Sequence, residues 1–93
     1  MEDLPEHVRR NREAWDSFAP EYAEPGRRAW ESSAPSWGIF GVPEEALGVL
    51  PASVEGLDTI ELGCGTGYVS SWLARRGAHP VGIDNSPAQL DTA

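Results

Sequence analysis

Lysine is absent from the sequence, and cysteine occurs once, as Cys64. Without lysine there is no Schiff-base nucleophile and no lysine-bearing phosphate loop. One thiol excludes an intrachain disulfide and a Cys₂His₂ or Cys₄ zinc site, and it suits a reducing cytoplasm. His7 and His79 are the only histidines and have no partner at metal-ligand spacing, so no metal site is expected. Positive charge is scarce: seven arginines stand against 15 acids, for a formal net charge of −8. That balance argues against nucleic-acid binding, which needs Lys and Arg to neutralise phosphates. No apolar run approaches the roughly 18 residues of a membrane span. The acidic start Met1-Glu2-Asp3-Leu4-Pro5 is no secretory signal.

What is present divides into two halves. Residues 1–56 are aromatic, charged and broken by proline, and hold six of the eight aromatic residues. Pro5 opens a first helix, expected to reach about Phe18. Ala19 precedes Pro20 and is biased away from helical geometry, so a break is expected there. Trp15, Phe18 and Tyr22 would share one face if the helix continued. Pro25-Gly26 marks a turn, Arg27 to Glu31 forms another short helix, and Ser32 to Gly41 reads as loop. Trp15, Phe18 and Trp30 are expected to pack the helices onto a sheet. Glu44 and Glu45 sit in the first turn of a short helix, favourable against its dipole, and are not a catalytic dyad.

Residues 57–93 read as strand, glycine loop, helix, strand and helix start. Asp58 to Leu62 is the first strand, Tyr68 to Arg76 the helix, and Pro80 to Asp84 the second strand. Val69, Trp72 and Leu73 form an apolar stripe at helical spacing. Ser86-Pro87-Ala88-Gln89 has a capping serine, proline at the first helical position and glutamine at the third, the pattern of a capping box. Two strands joined by a helix pair in parallel, which makes the fold class α/β.

Between the first strand and helix lies Glu61-Leu62-Gly63-Cys64-Gly65-Thr66-Gly67. Glycines there let backbone approach a nucleotide closely. Taken alone, the run is equally a tight structural turn. Asp84, about 20 residues beyond, stands where an acid accepts from the ribose hydroxyls of a bound nucleotide. The dinucleotide fingerprint G-x-G-x-x-G is not met. Gly63 and Gly65 fit its first two glycines, but Tyr68 fills the sixth position and the third glycine comes early, at Gly67. Cys64 reads as a small packed residue, although a helix start can lower a thiol pKa.

The E-x-G-x-G-x-G pattern from Glu61 to Gly67 resembles the first motif of class I S-adenosylmethionine-dependent methyltransferases, and Gly82-Ile83-Asp84-Asn85-Ser86 resembles their second. The resemblance covers residues 57–93. The stretch Trp15-Asp16-Ser17-Phe18-Ala19-Pro20-Glu21-Tyr22 is similar to a segment of several small-molecule methyltransferases. The resemblance implies a partial Rossmann-like fold: an N-terminal helical cap over 1–56 and an incomplete S-adenosylmethionine-binding unit over 57–93. It implies backbone access to the methionine portion at Gly63, Gly65 and Gly67. Glu61 would help hold the ammonium group, Asp84 the ribose, and Asn85 would lie against adenine. Tyr22 is open to a place at the cofactor as well as to packing, and Arg27 or Arg28 to pairing with the cofactor carboxylate as well as to a solvated surface. No catalytic base is visible.

The implied activity is methyl transfer to a small-molecule acceptor. Two strands are expected to be the N-terminal part of a longer enzyme, inactive alone and open to self-association through the exposed sheet edge at Ile60 and Leu62. An NAD-dependent oxidoreductase fragment and a non-catalytic cofactor-binding or interaction fragment are the alternatives.

Overall fold

A computed structural model describes residues 3–93. Its longest element is α1, Glu6–Glu31. At 1.5 Å per residue a helix of this length is about 39 Å long, close to the 41 Å longest extent of the molecule. Helix α1 passes through Pro20 and Pro25 without ending, so the expected break at Ala19-Pro20 and the turn at Pro25-Gly26 do not form. An interior proline removes one helical hydrogen bond and costs about 3 kcal/mol. Docking at both ends of α1 offsets that cost.

At its N-terminal end, Arg12 Nε donates to the Asn85 carbonyl at 2.8 Å and to Asn85 Oδ1 at 3.0 Å. Asn85 Nδ2 donates back to the Val8 carbonyl at 3.1 Å. Asp16 Oδ1 accepts from the Ser86 hydroxyl and, at 3.2 Å, from the Ala88 N–H. At the other end the Trp30 indole N–H donates to the Thr66 carbonyl at 2.6 Å. The Trp72 indole donates to the Ala29 carbonyl at 2.8 Å. Arg75 donates to the carbonyls of Trp30 and Ser32. Carbonyls at a helix end lack intrahelical partners, and here Trp72 and Arg75 satisfy them.

The closest approach is at Gly26, which is buried. A Cβ built there would lie 2.6–2.7 Å from three side-chain atoms of Thr66. Glycine is therefore in this helix for packing, despite its poor helix propensity.

Residues expected as loop form a small antiparallel hairpin, β1 (Ser36–Trp37) with β2 (Val42–Pro43). Its tip exposes Ile39 and Phe40. The hairpin leads into α2, Glu44–Leu47. Glu44 binds the unit together: its carboxylate accepts from the Trp37 indole at 3.0 Å, the Val49 N–H at 2.8 Å and the Leu50 N–H at 2.8 Å. A side-chain acceptor for donors 5 to 7 residues away leaves no periodic pattern, which is why 32–41 reads as irregular.

Strand β3 (Asp58–Leu62), helix α3 (Tyr68–Arg75) and strand β4 (His79–Ile83) follow the expected order within one residue. The strands pair in parallel, with Ile60 opposite Val81 and Leu62 opposite Ile83. Thr59 and Glu61 turn toward α3 and are half-buried, while Asp58, Ile60 and Leu62 alternate outward. The register therefore places Ile60, Leu62, Val81 and Ile83 on one exposed apolar face. The core lies at the opposite end of α3, where Val54, Leu73 and Ala78 pack with Leu50. Trp72 is also buried, with Tyr68 and Trp37 edge-on against it at 5.1 and 6.0 Å. Helix α4 is Pro87–Leu90. The arrangement is a partial Rossmann-like α/β unit crossed by one long helix.

Trp15 and Phe18 do not pack on the sheet. With Tyr22 they form an exposed cluster on α1, with ring centroids 6.1 and 5.6 Å from Trp15. They share one face because the helix continues past the prolines. Helix α1 packs on α3 and α4, and Trp30 reaches the glycine loop instead of the sheet.

Gly26→Ala tests the docking of α1. Overpacking costs about 1–3 kcal/mol, and better helix propensity returns about 1 kcal/mol. A net loss of the order of 1 kcal/mol is expected as a lower urea midpoint; a raised midpoint contradicts the close contact. Glu44 gives a pH test. Desolvation raises its carboxyl pKa, but the Leu50 and Val49 N–H groups, the Trp37 indole and the charge of Arg76 outweigh it, so the net direction is down. A carboxyl lowered in the folded state stabilises above its unfolded pKa, and that contribution is lost as pH falls through the folded value. Near-ultraviolet circular dichroism of the tryptophans should fade on acidification below about pH 4.3. Glu44→Gln should start weaker at neutral pH and change less across that window.

Candidate functional site

Parallel strands end on the same side, so the loops after β3 and β4 are neighbours. After β3 the chain turns through Gly63, Gly65 and Gly67 with φ of +67°, +54° and +77°. A side chain at any of the three would be strained, and the loop therefore requires all of them. The Gly67 N–H closes the turn on the Cys64 carbonyl at 2.8 Å, and Cys64 N–H extends the ladder to the Ile83 carbonyl at 3.0 Å.

Two carboxylates organise this backbone. Glu61 Oε1 accepts from the Ser70 N–H at 3.0 Å and the Ser70 hydroxyl at 2.7 Å. Ser70 is the third residue of α3, so Glu61 caps that helix and places negative charge at its N-terminus. Asp84 Oδ2 accepts from the Gly65 N–H at 2.8 Å, and Oδ1 from the Ser86 N–H at 2.8 Å. The acid expected to face a ribose thus also ties the glycine loop to the start of α4. Glu61 Oε1 is taken twice and its Oε2 not at all, and each Asp84 oxygen is taken once, so both carboxylates keep acceptor capacity.

The cleft has a volume of about 790 Å³, within the usual range for small-molecule sites. Glu61, Gly63, Gly65, Asp84, Asn85 and Tyr22, all expected at the site, line it; Gly67 is buried behind them. Asn85 lines the cleft, but its side-chain amide is bonded to Val8 and Arg12 on α1. Arg27 is not at the cleft: it pairs with Glu24 and Glu31 on the surface of α1. The helix start does not lower the Cys64 thiol pKa. Burial pushes it up, and the charges of Glu61 and Asp84 push it further, so Cys64 is a poor nucleophile.

Sequence reading missed Asn11, Trp72 and Gln89 as cleft-lining residues. Gln89 carried a misleading signal. The backbone half of the capping box forms, with Gln89 N–H donating to Ser86 Oγ at 3.2 Å. The reciprocal half does not, because Asp84 already takes the Ser86 N–H. Among the described residues lining the cleft there are two carboxylates and no Arg, Lys or His.

Residues 60–93 match the family model of a methyltransferase domain. This part of the chain, 34 of its 93 residues, is similar to a methyltransferase domain. Over 42 residues the chain is 48% identical to the ubiquinone biosynthesis O-methyltransferase of Hahella chejuensis, covering 45% of this chain and 18% of that protein. Over 44 residues it is 46% identical to the magnesium-protoporphyrin O-methyltransferase of Rhodobacter capsulatus, covering 47% and 20%. A second ubiquinone biosynthesis O-methyltransferase, from Maricaulis maris, is 46% identical over 39 residues, covering 42% and 15%. The matches thus span a fifth or less of these curated relatives. No solved structure matches this chain. No helix among the described residues is long and apolar enough to cross a membrane.

S-adenosylmethionine is the cofactor that similarity to a methyltransferase domain implies, and the lining of the cleft can be set against it. Its sulfonium and ammonium are cationic, and the cleft offers carboxylates without a competing base. The glycine backbone leaves room for a ligand to approach closely.

Asp84→Asn tests the organising role of Asp84 apart from any ligand. One of the two N–H donors would then face the amide NH₂. A loss of about 1–3 kcal/mol is expected in denaturant melts. An unchanged midpoint would show that the carboxylate does not hold the loop.

Proposed function

We propose that this chain supplies the cofactor-binding part of an S-adenosylmethionine-dependent methyltransferase acting on a small-molecule acceptor. The observation that carries the reading is the Gly65 N–H···Asp84 bond of 2.8 Å, which brings the glycine loop and the acidic motif onto one cleft. In this reading residues 57–93 are the cofactor unit and residues 1–56 its cap, since α1 is bonded to both motifs.

The residue roles follow from the cleft. Gly63 and Gly65 give backbone access to the methionine portion, and Gly67, buried against Trp30 and Ala93, shapes the turn behind them. Glu61 offers its remaining acceptor capacity to the ammonium. Asp84, already fixed by two N–H donors, accepts from the ribose hydroxyls. Asn85 and Tyr22 complete the wall, Tyr22 held by its ring contact with Trp15. When bound, the cofactor supplies an electrophilic methyl group on sulfur. The chain's own contribution is alignment and exclusion of water, which accelerate a displacement by fixing the reacting geometry. The acceptor faces an apolar wall that includes Trp15, Tyr22, Ile39 and Tyr68. The O-methyltransferase names of the relatives point to a hydroxyl acceptor.

An NAD-dependent oxidoreductase is the second reading. It is opposed by Tyr68 at the sixth fingerprint position and by the charge of the cleft. Two carboxylates without a cation are a poor setting for a pyrophosphate. Calorimetry with S-adenosylmethionine, S-adenosylhomocysteine and NAD separates the two. The expected result is binding of the first two and none of NAD. Binding of NAD alone overturns the proposal.

A further inference from the structure

The hairpin of β1 and β2 ends in a turn of unusual composition. The Gly41 N–H donates to the Gly38 carbonyl at 3.1 Å, which closes a four-residue turn with Ile39 and Phe40 at its centre. Central turn positions usually hold Pro, Asn, Asp, Ser or Gly. Here they hold two large apolar side chains, 94% and 88% exposed. Backbone geometry does not ask for them. The left-handed angles fall on the flanking Gly38 and Gly41, with φ of +72° and +61°, and among the described residues every positive φ belongs to a glycine. Packing does not ask for them either. A Cβ built on Gly38 or Gly41 would meet nothing within 4 Å, so the tip stands clear of the rest of the chain. Residues 32–43 also contain no Asp, Glu, Lys or Arg.

The base of the hairpin fixes where this tip stands. Trp37 pairs with Val42, its indole donates to Glu44, and its ring lies edge-on to Trp72. Ser36, Gly38 and Ile39 thereby line the cleft, together with Trp15, Tyr22 and Tyr68. A lining residue as exposed as Ile39 stands at the mouth and not in the depth. Glu61 and Asp84 are bonded to α3 and to the glycine loop. The cleft is thus acidic along the loop and apolar at the mouth, and no Arg, Lys or His lines it. A phosphate or carboxylate entering there would meet two carboxylates and no cation. A cation would be drawn to those carboxylates and not to the tip. An uncharged apolar molecule gains by covering Ile39 and Phe40, because removing apolar surface from water drives association.

We propose that the Ile39–Phe40 tip is the acceptor-selecting element of the cleft, and that the acceptor it takes is uncharged and predominantly apolar. The assignment rests on the methyltransferase reading above and narrows its small-molecule acceptor to that class.

The exposure of both side chains makes a clean test, since replacing them removes no internal contact. The 93-residue chain and its Ile39→Ser/Phe40→Ser variant are titrated with 2-naphthol, a planar hydroxyl compound uncharged near neutral pH, and with 4-hydroxybenzoate, which carries a carboxylate. Each titration is run with and without S-adenosylhomocysteine. Thermal melts and light scattering are recorded for both proteins. The parent should bind 2-naphthol and not 4-hydroxybenzoate, and the variant should bind 2-naphthol about tenfold more weakly. Melting temperature should be unchanged, and S-adenosylhomocysteine affinity should change by less than about twofold. Equal 2-naphthol affinity in the two proteins, or no 2-naphthol binding by a parent that binds S-adenosylhomocysteine, overturns the proposal and leaves the cofactor reading intact. Comparable binding of 4-hydroxybenzoate overturns the assigned acceptor class. A lower melting temperature in the variant shows a tip that supports the fold, and a smaller particle size shows a contact between copies of the chain; either overturns the proposal. A parent that binds 2-naphthol but not S-adenosylhomocysteine overturns the cofactor reading and, with it, the role of the tip in methyl transfer.

Discussion

The Asp84 carboxylate joins three pieces of backbone that would otherwise be independent. One oxygen holds the Gly65 N–H and the other the Ser86 N–H, each at 2.8 Å. Through Gly65 it fixes a loop whose three glycines sit at positive φ. Glycine backbone loses more entropy on ordering than any other, so such a loop needs an external anchor. Charge-assisted bonds from a carboxylate to backbone N–H groups are stronger than neutral ones. Through Ser86 the same carboxylate sets the entry to α4, where the Ser86 hydroxyl is bonded in turn to Asp16. The acid is therefore a structural member of the site before any ligand arrives.

Helix α1 extends that anchoring across the molecule. Its first half meets Asn85, Ser86 and Ala88, and its second half meets Thr66 and Trp72. A displacement of α1 would strain both motif loops at once, because its contacts with them are hydrogen bonds and close backbone packing, not mobile surface pairs. Two prolines inside a helix make sense only in this setting. Local propensity opposes continuation, and tertiary bonds at both ends override it. The exposed pairs Arg10–Glu6 and Arg27–Glu31 add little to that balance.

The legible part of the sequence was the part governed by short-range rules. The strand Asp58–Leu62 was read to the residue, and α3 and β4 within one residue, because periodicity, glycine and proline fix them locally. Glu61, the three glycines and Asp84 announced themselves by spacing along one strand–loop–helix–strand unit. The course of α1 was not legible. Ala19-Pro20 and Pro25-Gly26 carry strong local break signals, and the bonds that outvote them join residues 36 to 77 positions apart. The hairpin depends on Glu44 reaching Trp37, Val49 and Leu50, which no periodicity encodes. Gln89 failed differently: the capping-box pattern was real, but a competing acceptor two residues upstream of Ser86 claimed half of it.

That competition also explains how an acidic cleft reaches its final chemistry. Had Gln89 closed the capping box, its amide would be consumed and Asp84 would have only one backbone donor. With Asp84 bonded twice, its charge is dispersed into two N–H groups, and only the backbone half of the box forms. The lining of the cleft then includes the Glu61 carboxylate bonded to α3, the Asp84 carboxylate bonded to Gly65 and Ser86, and the Gln89 side chain on α4.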